Sequence, residues 1–365
     1  MKLLNVILLL IFAVGLSAQY NFTHTKDINC TPVKSQARTG TCWSFATSSF
    51  IESELIRMGH KDANLSEMFV VRNIYKDKAR NYVLRQGKAN FSQGSLSHDL
   101  IRIMKSGGVM PESVYSGLLQ GEEKHDHSEM EAGLKGFLDG ILTRKRLSKK
   151  WQPAFASILD AYIGEAPEKF MYNGKEHTPM SLASDLGLDA GKYVSLTSFT
   201  HHPYHESFIL EIPDNYSNGS FYNVPLNEMM STIDNALAKG YSVAWDGDVS
   251  EKGFDAKKGI AVLPVDEKRD DLFSSPGEEV KVTAQNRQDN FESYSTTDDH
   301  LMHIIGKAKD QNGTEYYIIK NSWGEISPYK GYLYMSRAYV EMKTVAIMVN
   351  QDVLSKKIKD NMAEE

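Results

Sequence analysis

The chain has few cysteines, only Cys30 and Cys42 among its 365 residues. Two cysteines close at most one bond, so a disulfide framework is excluded as the basis of the fold. A bond between the two is conceivable in an oxidising compartment, but it would consume a nucleophilic thiol. We therefore expect Cys30 to be structural or free.

The chain also lacks an excess of positive charge, since its net charge is −6 and its Lys and Arg residues are scattered among acidic ones. This distribution argues against a nucleic-acid partner. His201, His202 and His205 lie close together, but Pro203 separates them and no cysteine or carboxylate cluster stands nearby in the sequence, which disfavours a metal site. We expect no metal and no other cofactor.

Long apolar runs are missing except near the amino terminus, where residues 6–16 form one behind Lys2. The run is short for a membrane span, and Ser17-Ala18 provides small residues for cleavage, as in a secretory signal peptide at residues 1–18. An uncleaved membrane anchor is the alternative. We expect a secreted or periplasmic mature protein, residues 19–365, with no stable membrane association after cleavage.

What the sequence does contain is the pattern around Cys42. Gln36 precedes this cysteine by six residues, Gly40-Thr41 forms a turn before it, and apolar positions with helical spacing follow it as far as Gly59. Cys42 should therefore lie in the first turn of a helix, where free N–H groups and the helix dipole favour a thiolate. A buried, inert cysteine is the ordinary alternative.

The remaining parts of a thiol nucleophile's site lie far downstream. We interpret His303 as the base and Asn321, at the end of a predicted strand over residues 315–321, as the group that orients it. Trp323 would shield their hydrogen bond from water and is also a candidate to contact substrate. The side chain of Gln36 and the backbone N–H of Cys42 would form an oxyanion hole. His300 is a rival for the base, and we prefer His303 because residues 304–306 continue it as a predicted buried strand, which places its imidazole at the strand start.

These residues resemble the papain superfamily of cysteine peptidases, and further stretches resemble its bleomycin hydrolase and aminopeptidase C branch. The stretches with this resemblance are residues 64–72, 90–95, 115–117, 199–204, 222–226 and 244–250. The resemblance implies an α+β, papain-like fold of two lobes, a peptide or protein substrate, and a homo-oligomer as one option. Thr39 stands where papain-type enzymes have a cysteine, so their usual disulfide in that lobe cannot form.

The predicted helices come first in the chain and the predicted strands follow, which divides it into two lobes that would meet at a cleft. We predict a helical lobe over about residues 30–192, with an insertion at about 120–192, and a β-rich lobe over about 193–349. A charged tail, residues 350–365, follows. Where the papain pattern has a glycine-rich wall for substrate, this chain has Gly94 and Ser95, although an ordinary turn fits them equally well.

The sequence thus predicts an exported papain-like cysteine peptidase that acts through an acyl-thiol intermediate. The resemblance implies an aminopeptidase whose carboxyl-terminal arm blocks one end of the cleft, but the short, charged tail leaves an open cleft and endopeptidase activity as an alternative. A catalytically idle peptide-binding module is a further alternative, as is a transglutaminase-like acyl transferase. The intact Gln36, Cys42, His303 and Asn321 disfavour the idle module.

Overall fold

The computed structural model describes residues 20–364, so the predicted signal peptide lies outside the described residues. The described chain has a mainly helical first part, followed by a strand-rich second part. The helices are α1 (Cys42–Arg57), α2 (Glu67–Leu84), α3 (Ser97–Gly107), α4 (Ser128–Leu142), α5 (Trp151–Ile163), α6 (Pro179–Asp185), α7 (Leu226–Ala238), α8 (Ala284–Glu292), α9 (Arg337–Lys343) and α10 (Lys356–Glu364).

Most strands belong to one large sheet. The strands are β1 (Thr23–Asp27), β2 (Phe170–Tyr172), β3 (Lys175–His177), β4 (Tyr193–Thr197), β5 (Ser207–Ile209), β6 (Ser220–Asn223), β7 (Val243–Gly247), β8 (Phe254–Asp255), β9 (Ile260–Ala261), β10 (His300–Lys309), β11 (Glu315–Lys320), β12 (Tyr332–Ser336) and β13 (Thr344–Asn350). The sheet has the order β5-β6-β4-β13-β7-β10-β11-β12-β9-β8, with β1 paired to β10, and β2 and β3 form a separate hairpin.

The first helix is the centre of the helical lobe. Nearly all its residues are buried, and the chain leaves it at Gly59, whose φ of 105° suits a glycine that stops a helix. Helix α2 begins where the Ser66 side chain accepts a hydrogen bond from the Phe69 N–H. Helices α4 and α5 lie within the predicted insertion, and their apolar faces join the same core. These helices agree with the helical periodicity expected of the first lobe.

The large sheet separates two cores because alternate residues of a strand point to opposite faces. On β7, Ala244 joins the core formed with α1, whereas Trp245 joins a second core on the other face. Helix α7 covers that second face. The predicted α+β class is therefore confirmed, and α1 packs against one face of the sheet that carries the predicted histidine and asparagine.

The carboxyl-terminal tail forms a helix rather than a free segment. Ile358 of α10 is 1% exposed and belongs to the second core, and Lys357 Nζ lies 2.6 Å from Glu228 Oε1 at the start of α7. The described part of the tail therefore docks on the sheet face opposite to α1. Among residues 20–364, no helix combines the length and apolar character that crossing a membrane requires.

Candidate active site

Cys42 is the first residue of α1, as the sequence predicts. No side chain caps this end of the helix. The first N–H groups of a helix have no partner within it, and they carry the positive end of the dipole. The Cys42 side chain thus starts from a position that favours negative charge. Cys42 is 9% exposed, and both it and Cys30 are free thiols.

The imidazole that contacts Asn321 belongs to His300. Its Nε2 lies 2.8 Å from Asn321 Oδ1, and the same oxygen accepts the Ser322 N–H at 2.7 Å. A backbone N–H can only donate, so this contact identifies Oδ1 as the acceptor and requires His300 Nε2 to carry its proton. In the neutral ring, Nδ1 is then the basic nitrogen. Asn321 therefore fixes both the position and the tautomer of His300.

Trp323 lies against the same imidazole. The indole and the His300 ring have centroids 4.5 Å apart and planes inclined by 32°. Phe254 meets the indole edge-on at 6.2 Å, and these residues line a groove beside His300. The indole keeps water from the histidine–asparagine contact, and the groove offers apolar surface next to it.

The prediction that His303 contacts Asn321 is wrong. His303 is fully buried, and its Nδ1 lies 2.9 Å from Ser49 Oγ, on the second turn of α1 after Cys42. Ser49 lies seven positions after Cys42 in the helix, a distance of about 10 Å along the axis. Strand β10 begins at His300, so His303 lies inside the strand and not at its start. Its imidazole is therefore held away from the thiol.

A buried polar network between the lobes explains the place of His303. Lys320 Nζ donates to Ser49 Oγ at 2.8 Å and to Thr31 Oγ1 at 2.9 Å. Thr31 in turn donates to the buried carboxylate of Glu52, whose other oxygen accepts the Leu65 N–H. Buried polar groups need such partners. His303 thus belongs to the contacts that join α1 to the sheet.

Gln36, the predicted oxyanion donor, lies beside the end of β11. Its Oε1 accepts from Ser322 Oγ at 2.6 Å, and its Nε2 donates to the Thr39 carbonyl at 2.7 Å. These two bonds fix the amide plane. Nε2 carries two hydrogens, so one remains for another acceptor.

Gly94 and Ser95, the two residues predicted to line the substrate wall, have different surroundings. Gly94 faces Asp214 so closely that a Cβ at position 94 would lie 1.8 Å from Asp214 Oδ2. Ser95 is 1% exposed, and its Oγ donates to Asp99 Oδ2 at 2.7 Å inside the helical lobe. A side-chain contact between Ser95 and substrate is therefore not supported, because that hydroxyl points into the core.

Burial dominates the electrostatics of the Cys42 thiol and the His300 imidazole. It raises the pKa of Cys42 to about 12, an effect opposed by the backbone of Leu301, the residue after His300, and increased by Asp298, Asp214 and Asp246. Burial likewise lowers the pKa of His300 to about 4, against the hydrogen bond to Asn321. With no substrate bound, the pair together therefore keeps a net charge of zero over a wide pH range.

One cluster of potential metal ligands occurs among the described residues, outside this site. Its ligand atoms, on His201, His202 and Glu211, all lie within 4.8 Å of one another. Gln288 Nε2 lies 3.0 Å from His201 Nδ1, and Glu211 contacts both rings. These hydrogen bonds account for the cluster without an ion.

Comparisons with known proteins identify the family of this chain. Residues 161–365 match the profile of the Peptidase C1-like family, and residues 17–152 match that of the Papain family cysteine protease. Aminopeptidase G of Lactobacillus delbrueckii subsp. lactis is 24% identical over 371 residues, which cover 89% of this chain and 82% of that protein. Aminopeptidase C of Lactococcus lactis subsp. cremoris is 22% identical, with coverages of 92% and 84%.

A solved structure has the same fold. The crystal structure of PepW from Lactobacillus rhamnosis superposes with a TM-score of 0.72 at 18% identity, over 94% of this chain and 85% of that one. The likeness extends across both lobes, which confirms the predicted papain-like fold.

Proposed function

This chain belongs to the Peptidase C1-like family and is a cysteine-type peptidase, and from that premise we propose that Cys42 and His300 hydrolyse peptide bonds through an acyl-thiol intermediate. The observation that carries the proposal is the hydrogen bond from His300 Nε2 to Asn321 Oδ1. It leaves Nδ1 as the nitrogen that receives the thiol proton.

The proposed reaction has two halves. His300 removes the proton of Cys42, and the sulfur attacks the carbonyl carbon of the scissile bond. The remaining Gln36 Nε2 hydrogen and the Cys42 N–H stabilise the oxyanion. His300 then protonates the leaving amine, which separates from the acyl-thiol. In the second half His300 activates a water that attacks the thioester, and the acid is released with the thiol restored.

We further propose that the enzyme is an aminopeptidase. The curated relatives described above are aminopeptidases that match most of this chain. Endopeptidase activity is the second candidate, because the described part of the tail docks on the far face of the sheet, with Ile358 in its core. Such a tail does not close the cleft beside Cys42.

A digest of a peptide library, read by mass spectrometry, tests both proposals. An aminopeptidase removes residues one at a time from free amino termini and leaves N-acetylated copies of the same peptides intact. Equal internal cleavage of both sets supports the endopeptidase instead. The Cys42→Ala variant is the control, and cleavage by that variant contradicts the acyl-thiol mechanism.

We also propose that the protein is exported after removal of residues 1–18. Tyr20, only two residues past the proposed cleavage site, is 7% exposed, and its hydroxyl donates to the Leu272 carbonyl at 3.1 Å. The folded chain can therefore begin at Gln19. Amino-terminal sequencing of the extracytoplasmic protein should start there, and an intact Met1 on that protein would contradict cleavage.

A further inference from the structure

Three carboxyl groups from distant parts of the chain lie near the Cys42 thiol. Asp246 is on β7 directly opposite Leu301 of β10, and both point toward the face that α1 covers. Asp298 lies just before β10, and Asp214 lies against Gly94. The charges of all three oppose ionisation of Cys42, after the larger effect of burial. They therefore belong to the surroundings of the reacting sulfur.

Among the described residues, Asp214 Oδ1 accepts a hydrogen bond from Asn90 Nδ2 at 3.2 Å, whereas Asp246 and Asp298 have oxygens without a donor. Asp246 is 4% exposed, yet neither of its side-chain oxygens has a hydrogen-bond donor, and Asp298 Oδ2 is likewise buried without one. The nearby cation, Lys78, contacts the carbonyl oxygens of Ser92 and Gly94. Buried carboxylates without donors are costly, and such groups indicate a function when they line a reaction site.

The protonation of the cluster fits an empty cation site. Burial raises the pKa of Asp246 well above its usual range, with a further contribution from Asp298. Burial, followed by the charge of Asp214, raises the pKa of Asp298 to about 7. Protonation of one of two neighbouring carboxyls removes their mutual repulsion. A bound cation would replace that proton.

None of the three carboxyl residues lines the groove at Trp323. His300, which protonates the leaving amine in the proposed reaction, lines that groove together with Trp323 and Phe254. The leaving part of the substrate would occupy the groove. The residue before the scissile bond would then face Gly94, Asp214 and Asp246.

We propose that Asp214, Asp246 and Asp298 form a subsite that binds an ammonium group of the substrate on the amino-terminal side of the scissile bond. The inference rests on the proposed peptidase function. The ammonium is the free α-amine of the first residue or a lysine side chain one residue earlier. Binding of the α-amine would select for aminopeptidase cleavage from within the cleft.

Steady-state kinetics with matched anilides test the proposal. The substrates are alanyl anilide, its N-acetyl form, N-acetyl-lysyl-alanyl anilide and N-acetyl-norleucyl-alanyl anilide. The variants are Asp246→Asn and Asp298→Asn, with Asp289→Asn on the exposed side of α8 as the control for loss of one negative charge. We expect kcat/KM for alanyl anilide to fall about 10- to 100-fold, chiefly through KM, as for loss of a charge-assisted hydrogen bond.

The outcomes separate the two sources of ammonium. A loss confined to the free-amine substrate assigns the subsite to the α-amine, and a loss confined to the lysyl substrate assigns it to a side chain. An equal loss on all four substrates, or no loss, overturns the proposed subsite. Cleavage of the substrates by the wild-type enzyme would still support the peptidase function.

Protection of the thiol gives a test that needs neither turnover nor a folded variant. Alaninamide should slow iodoacetamide labelling of Cys42 in the wild-type protein, whereas N-acetylalaninamide should not. Labelling is read by mass spectrometry, with Cys30 as the internal reference. Equal protection by the two amides overturns the ammonium subsite even if the protein cleaves none of the anilides, a result that would itself reject the peptidase function.

Discussion

Asn321 Oδ1 holds His300 by its Nε2 at 2.8 Å, while His303, three residues further along the same strand, contacts Ser49 instead. Only His300 therefore has the orienting partner that a general base in a cysteine peptidase needs. Trp323 lies on the same ring and shields this contact. The two histidines can be compared directly, because both are buried on β10 and they differ in their hydrogen-bond partners.

The first prediction uses that pair. His300→Ala should lower turnover by about 10²–10⁴-fold, because it removes the group that moves the proton. His303→Ala should keep most of the turnover and lower the free energy of unfolding by about 1–3 kcal/mol, because it leaves a buried hydrogen-bond partner unsatisfied. Kinetics on folded protein and denaturant unfolding measure the two effects. An inactive but fully stable His303→Ala variant would reverse the assignment.

The sequence correctly predicts that a helix begins at Cys42, because that signal is local. A glutamine, a Gly-Thr turn and a cysteine before a helical apolar pattern lie within a few residues, and α1 begins at Cys42 as expected. The strand before Asn321 is equally easy to predict from the sequence, since Tyr316 to Ile319 are aromatic or β-branched. In the structure, β11 ends at Lys320. Local propensity and a nearby stop signal determine such elements.

Which of the two histidines contacts Asn321 cannot be predicted from the sequence in the same way. Leu301 and Met302 follow His300, and Ile304 and Ile305 follow His303, so the sequence does not show at which histidine β10 begins. The decision depends on Ser49, which contacts His303, and on Lys320, which donates to Ser49, and both contacts form only in the folded protein. The carboxyl cluster is non-local for the same reason, since Asp214, Asp246 and Asp298 come together only across the folded lobes.

The second prediction concerns the oxyanion. Gln36→Ala should lower kcat by about 10²–10³-fold, the cost of one oxyanion donor. The matched control is Ser322→Ala, which removes the hydroxyl that donates to Gln36 Oε1 but leaves the Nε2 hydrogens in place. It should reduce kcat much less. Equal losses in both variants would show that the amide acts through packing between the lobes.

The third prediction is a pH dependence. Burial lowers the pKa of His300 to about 4, so the imidazole remains able to accept the thiol proton down to that pH. Iodoacetamide is uncharged. The rate at which it inactivates the enzyme should therefore stay constant from about pH 8 to 5 and fall as the pH drops through about 4. A midpoint near the ordinary histidine value of about 6.5 would contradict it.

The fourth prediction concerns the tail. Ile358→Ala should lower the free energy of unfolding by about 2–5 kcal/mol, because it empties a fully buried site. Lys357→Ala, with its side chain 63% exposed, should change it by less than about 1 kcal/mol. Deletion of residues 357–365 should leave the ratio of free-amine to N-blocked cleavage unchanged. A large change in that ratio would place the tail in control of the cleft.

The most direct test of the account is the turnover of Cys42→Ser beside Cys30→Ser on a free-amine peptide, with acyl-enzyme trapping read by intact mass. The serine variants preserve size and change only the nucleophile or the second thiol. We predict that Cys42→Ser loses on the order of 10⁴-fold or more in turnover and forms no thioester, whereas Cys30→Ser retains both. Turnover by Cys42→Ser at the wild-type rate would contradict the account.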